Sequence, residues 1–185
     1  MHPTPRCQVL DGVTNHDAVA ANRFALRNRG QGHFVCLWDG IDQPLESGAW
    51  PLIAASDTQY LDGVSQTAHE MTHDDMRRVT EEFVQATHRA VAAGFDWLEL
   101  HFAHGYLGAS FFSPLANQRT DAYGGSQANR FRFLLEATAA VREALPADKP
   151  LWVRLSVTDY VEAGWTLEDS VALSVELKAA GVDLV

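Results

Sequence analysis

From Thr72 to the last residue the sequence alternates between a helical period and short apolar runs, and this alternation limits the fold more than any other feature. Thr72-His73-Asp74-Asp75 has the form of a capping box. The threonine oxygen can satisfy an amide at the helix start, and the acid three residues on lies at the positive end of the helix. Apolar residues follow at Met76, Val79, Phe83, Ala86 and Ala90. Steps of three and four draw one buried stripe along a helix, and Gly94 ends it. Phe95–His101 (FDWLELH) reads as a strand. Asn129 to about Leu145 reads as a second helix, with Phe133, Leu134, Ala137, Val141 and Leu145 on one side and Pro146 and Pro150 bracketing the exit. Leu151–Ser156 (LWVRLS) reads as a second strand. Thr166, with Asp169 three residues later, opens a third helix that runs to about Ala180 and stops at Gly181. Val182-Asp183-Leu184-Val185 begins a further strand. Helix and strand in turn favour a parallel α/β sheet. The pattern fits a doubly wound sheet and a barrel equally well.

The first third of the chain is less regular. Met1 to about Cys36 shows no clear period, and Asn15-His16-Asp17 and Asn28-Arg29-Gly30 read as turns. A short helix is expected over Ala18–Leu26, with Val19, Ala20, Phe24 and Ala25 as its apolar residues. Leu37–Leu61 is rich in Gly, Pro, Asp and Trp and reads as a long ordered loop with one short extended piece, Pro51-Leu52-Ile53-Ala54-Ala55. Loops of that length are usually functional.

Composition excludes some classes of function. The 185 residues are 46% hydrophobic and 21% charged, which suits one globular domain. A net charge of −10 with no basic run argues against a nucleic-acid partner. No run approaches the roughly 20 apolar residues that span a bilayer. No apolar stretch follows Met1-His2-Pro3-Thr4-Pro5, which argues against a signal peptide. Cys7 and Cys36 lie outside any CxxC and read as free thiols in a reducing cytoplasm, with a disulfide between them as the alternative.

The densest polar cluster follows the first of the regular strands: Glu99, His101, His104 and Tyr106, then Asn117, Arg119, Asp121 and Tyr123. In barrels, functional groups sit at the C-terminal ends of strands and in the loops beyond. Two neutral imidazoles each donate one hydrogen bond, which suits a carbonyl or phenolate oxygen. Tyr106 adds a hydroxyl as proton donor. A metal-binding hydrolase using His101 and His104 is the rival reading. However, Glu99-Leu-His101-Phe-Ala-His104 is not HExxH, and no third ligand is evident. A purely structural role for the pair is the other alternative. Gly124-Gly125-Ser126 lacks the features of a phosphate cradle and reads as a tight turn entering a helix. Arg154 stands inside an apolar strand, where a guanidinium needs a partner. That partner is either a salt bridge inside a barrel or a ligand edge that carries negative charge.

The run His101-Phe-Ala-His104-Gly105-Tyr106-Leu107, then Phe112-Ser113-Pro114-Leu115-Ala116-Asn117-Gln118-Arg119-Thr120-Asp121-Ala122-Tyr123-Gly124-Gly125-Ser126-Gln127-Ala128-Asn129-Arg130-Phe131-Arg132-Phe133, resembles the signature stretch of Old Yellow Enzyme-type NADH:flavin oxidoreductases. The resemblance continues through Val153-Arg154-Leu155-Ser156 and Gly164-Trp165-Thr166, and upstream through Glu70-Met71-Thr72 and Ala93-Gly94-Phe95-Asp96. It spans roughly Leu37 to Val185. Within the family, Trp50-Pro51-Leu52-Ile53-Ala54-Ala55-Ser56 is most similar to reductase domains linked to salicylyl-CoA and 2-aminobenzoyl-CoA hydroxylases.

The resemblance implies a (β/α)₈ barrel with non-covalent FMN, reduced by NADH or NADPH, that passes hydride to an activated C=C bond. It implies that His101 and His104 bind the substrate carbonyl, that Tyr106 donates the proton, and that Arg154 lies beside the flavin's pyrimidine edge. Gly32-His33-Phe34-Val35-Cys36 does not match the family's His-Ala-Gly-Arg stretch. The expected division is an unmatched segment at 1–36 and a partial barrel at 37–185. A closed barrel of this type takes about 250 residues and at least roughly 200, so about three βα units are expected here. The sequence thus reads as a cut or split piece, expected to bind FMN weakly or not at all by itself. The alternative is a catalytically inactive remnant that needs a partner chain. The expected partners are a small-molecule enone or aryl-CoA-like substrate and a second copy or complementing barrel fragment.

Overall fold

The computed structural model describes residues 51–59, 63 and 65–185, and the backbone of 7–10. The expected helix at Ala18–Leu26, the two thiols and the stretch from Leu37 to residue 50 lie outside these residues. The elements run β1 (Cys7–Leu10), β2 (Leu52–Ala54), β3 (Ala68–Glu70), α1 (His73–Ala92), β4 (Trp97–His101), α2 (Leu107–Phe112), α3 (Gln127–Ala144), β5 (Leu151–Arg154) and α4 (Leu167–Ala179). Two parallel sheets form, one in the order β1-β4-β5 and one of β2 with β3. On the far side of β5, a bridge pairs Trp152 with Leu184, and the Val153 amide donates to the Leu184 carbonyl at 2.9 Å. The strand start expected over Val182–Val185 is thus reduced to a single bridge at Leu184 beside β5.

Alternation along β4 and β5 gives the sheet two different faces. Leu98, Leu100, Leu151 and Val153 are buried in the core with Phe83, Leu134, Val141 and Leu173. Trp97, Glu99, His101, Trp152 and Arg154 lie on the other face, because successive side chains of a strand point to opposite sides. α1 packs on α3, and α3 on α4. The described helices thus form one layer on one side of the sheet. A doubly wound sheet would divide them between both sides, so the single layer is barrel architecture. Among the described residues the sheets do not close. Among the described residues no helix is long and apolar enough to cross a membrane.

The helices begin and end where local chemistry dictates. Thr72 and Thr166 each accept from the amide three residues on, and Asp75 and Asp169 return the bond to the cap amide. Gly94 and Gly181 follow the helix ends at φ 78° and 93°, in the left-handed region that glycine enters without penalty. The α1 stripe is the expected one: Met76, Val79, Phe83, Ala86 and Ala90 are all buried.

Several elements differ from expectation, and β4 starts at Trp97 rather than Phe95. α2 lies in a stretch where the sequence shows no helical period. α3 starts at Gln127 rather than Asn129, because the Ser126 side chain accepts from the Asn129 amide. β5 ends at Arg154, two residues before Ser156. β1 and β3 occupy stretches where no strand was read; three or four residues are too few to display a period.

Candidate active site

His101 is the last residue of β4, His104 follows in the turn, and Tyr106 is the N-cap of α2. Their rings converge. His101 and His104 lie 4.8 Å apart, edge to face at 75°. Tyr106 is 5.0 Å from His101 and 6.1 Å from His104, again tilted toward edge-on. The Ala103 amide donates to His101 Nδ1 at 3.1 Å. A neutral ring that accepts at Nδ1 carries its proton on Nε2, so the tautomer of His101 is set by its own turn. His104 is exposed and adopts φ 61°, a region that histidine enters more readily than most side chains. Its amide donates to Ser156 Oγ at 2.8 Å. Tyr106 is buried, with its ring at the edge of the pair. The arrangement places two imidazoles and a phenol around one point at a strand tip.

Arg154 is the register partner of His101 across β4 and β5, so both side chains occupy the inner face. Arg154 Nε donates to Glu99 Oε1 at 2.7 Å and Nη2 to Oε2 at 3.2 Å. The salt bridge weighed in the sequence is therefore present. Its two ends differ in exposure: the Glu99 side chain is 8% exposed and that of Arg154 is 52%. A buried carboxylate needs its counter-charge, and here it fixes the guanidinium in orientation while leaving half of that side chain uncovered. Beneath the pair, Trp97 and Trp152 stack at 3.9 Å.

The remaining polar residues of the cluster separate from the site. Arg119, almost fully buried, donates through Nη1 to the carbonyls of Ala55 (3.0 Å) and Met71 (2.7 Å). Its Nε and Nη2 make a two-point bond to Asp121, at 3.0 and 2.6 Å. The hydrogen bond from Arg119 is the main cause holding the Asp121 carboxyl well below the usual carboxylate range. Asn117 donates to the carbonyls of Phe111 and Tyr123 at 2.7 and 2.8 Å. Arg119 thus ties the long segment after α2 to the ends of β2 and β3, and Asn117 ties that segment to α2. Gly124-Gly125-Ser126 is the turn into α3, with Gly125 at φ 75°. Sequence reasoning gave Ser156 no role; only its position two residues after Arg154 marks it. Among the described residues no group of three or more His, Cys, Asp or Glu side chains is placed to hold a metal ion.

Comparison with known proteins gives this geometry a family. The NADPH dehydrogenase of Bacillus velezensis is 48% identical over 124 residues, covering 67% of this chain and 36% of the relative. An NADH:flavin oxidoreductase of Gibberella zeae is 40% identical over 152 residues, covering 76% of this chain and 37% of the relative. The chain therefore spans about a third of the length of these relatives. Among solved structures, a 2-naphthoyl-CoA reductase in complex with 2-naphthoyl-CoA superposes with TM-score 0.67 at 30% identity, over 74% of this chain and 21% of that one. An Old Yellow Enzyme homologue from Zymomonas mobilis superposes with TM-score 0.63 at 26% identity, over 72% and 41%. The family profile described as NADH:flavin oxidoreductase / NADH oxidase matches residues 33–185. With strand, turn and helix laid out as in part of such a barrel, the chain belongs to the NADH:flavin oxidoreductase / NADH oxidase family.

Proposed function

We propose that this chain is the oxygen-binding portion of an FMN-dependent NAD(P)H oxidoreductase that reduces activated C=C bonds. The convergence of His101, His104 and Tyr106 carries the reading. His101 presents Nε2–H as a donor, and His104 supplies a second imidazole beside it. Donors aimed at a carbonyl oxygen stabilise the negative charge that develops there as the β-carbon is reduced. Tyr106, held against both rings by the first turn of α2, delivers the proton. FMN, when bound, supplies the hydride. The inner face suits it: Arg154, oriented by Glu99 and half uncovered beside His101, is the residue that would hold the flavin. The substrate class is an enone or an aryl-CoA-like thioester, both of which place a polarisable carbonyl next to the double bond. Likeness to a structure carrying 2-naphthoyl-CoA supports the second of these.

The test is a graft. The 124 matching residues replace their counterpart in the Bacillus velezensis NADPH dehydrogenase, and NADPH oxidation is followed with and without a simple enone. Enone-dependent turnover should be retained. His101→Ala should lower kcat by roughly 10²-fold or more, the usual effect of losing one oxyanion donor. Tyr106→Phe should lower enone turnover by roughly 10²- to 10⁴-fold while flavin reduction by NADPH proceeds unchanged. A graft that binds flavin and turns over enone equally well with both substitutions would refute the assignment.

A further inference from the structure

Three consecutive amides leaving β4 each have a defined acceptor. Phe102 N–H donates to the Arg154 carbonyl at 3.0 Å, Ala103 N–H to His101 Nδ1 at 3.1 Å, and His104 N–H to Ser156 Oγ at 2.8 Å. The first acceptor is the last residue of β5 and the third lies two residues beyond it, so the exit of that strand grips the turn that carries the imidazoles. The third bond falls where the backbone is least comfortable. His104 stands at φ 61° and Gly105 at φ 71°, two left-handed residues in succession. A residue with a Cβ stays in that region only when its surroundings hold it there. The hydroxyl that holds it comes from 52 residues further along the chain. Were the amide released, the turn could relax toward ordinary φ, and the imidazole would leave its edge-to-face position against His101.

We propose that Ser156 is a positioning residue. Its hydroxyl keeps His104 left-handed and thereby aims the His104 ring at the same oxygen as His101. Arg154 and Ser156 then serve one site from the end of β5 and the residues just beyond it, the first through its side chain on the inner face and the second through the backbone of the neighbouring turn. This inference rests on the reading of the two histidines as an oxygen-binding cradle.

The experiment compares the full chain with Ser156→Ala and Ser156→Thr. Hydrogen–deuterium exchange by mass spectrometry reads peptides covering 102–107, with peptides from α1 and α3 as internal controls. Imidazole ¹⁵N signals report the ring environment of His101 and His104. Titration with 4-nitrophenol, followed by absorbance, probes binding of a phenolate oxygen. Ser156→Ala should raise exchange in 102–107, shift the His104 ring signals and weaken 4-nitrophenol binding by roughly 2- to 10-fold, the range for one hydrogen bond. Ser156→Thr, which keeps the hydroxyl, should restore all three, and α1 and α3 should exchange at the wild-type rate in both variants. Unchanged exchange and ring signals in Ser156→Ala would overturn the proposal, as would a uniform rise that includes α1 and α3. If the wild-type chain does not bind 4-nitrophenol, the cradle reading fails instead, and exchange with the ring signals still decides whether Ser156 positions His104.

Discussion

Arg119 lies almost wholly inside the protein with four hydrogen bonds, two to backbone carbonyls of distant segments and two to Asp121. Removing one partner of a buried, hydrogen-bonded charge pair leaves the others without compensation, at a cost of about 3–5 kcal/mol. Arg119→Met should lower the stability of the chain by about that amount, read from the urea unfolding midpoint. Arg119→Lys should fall between, because an ammonium cannot reproduce the two-point contact. Asp121 adds a pH dependence. Its carboxyl is held below the ordinary value of 3.8, first by Arg119 and then by the Tyr123 amide and His73. A lowered folded-state pKa gives stability that is fully present above the unfolded value and is lost as pH falls toward the folded one. The urea midpoint should hold between pH 7 and about pH 5 and decline below it. Asp121→Asn should flatten that decline. At this scale the sequence is only half legible. It groups His101, His104, Tyr106, Asn117, Arg119 and Asp121 into one polar cluster, because spacing shows which residues are near a strand end but not which face the interior. The structure divides them into three rings around a point and a set of internal ties.

The helices show how much can be read when local signals agree. Both capping boxes, the α1 stripe and the glycine stops are written in adjacent residues, and each recurs in the fold. Thr72→Ala and Thr166→Ala should each cost about 1 kcal/mol, measured by thermal or urea unfolding. The two should add, since the caps belong to different helices and share no partner. α2 escaped notice for a physical reason. All six residues of Leu107–Phe112 are buried, so the segment has no polar face and no period to detect. Its close packing is visible at Gly108, where a Cβ would lie 2.6 Å from that of Phe102. β1 and β3 are invisible for a different reason. They are strands by virtue of their neighbours, since Cys7–Leu10 pairs only once β4 is in place.

For the whole molecule, the sequence pattern left barrel and doubly wound sheet undivided. The side on which the helices pack decides it, and that is a property of distant contacts. The same architecture exposes apolar surface along α4 and the rung beside it: Leu167, Val171 and Val175 are each more than half exposed, near Leu184 and Val185. Contiguous apolar surface of this kind invites association. The chain should self-associate with increasing concentration in sedimentation velocity, and Val171→Glu with Val175→Lys should shift it toward monomer without loss of helix content.

The paired indoles of Trp97 and Trp152 have a consequence outside chemistry. At 3.9 Å, across two strands and on the face that also bears His101 and Arg154, they form a coupled chromophore built into the wall of the site. Occupation of that wall by an aromatic guest would register in their emission and near-ultraviolet ellipticity, so the molecule carries its own optical gauge of what settles there.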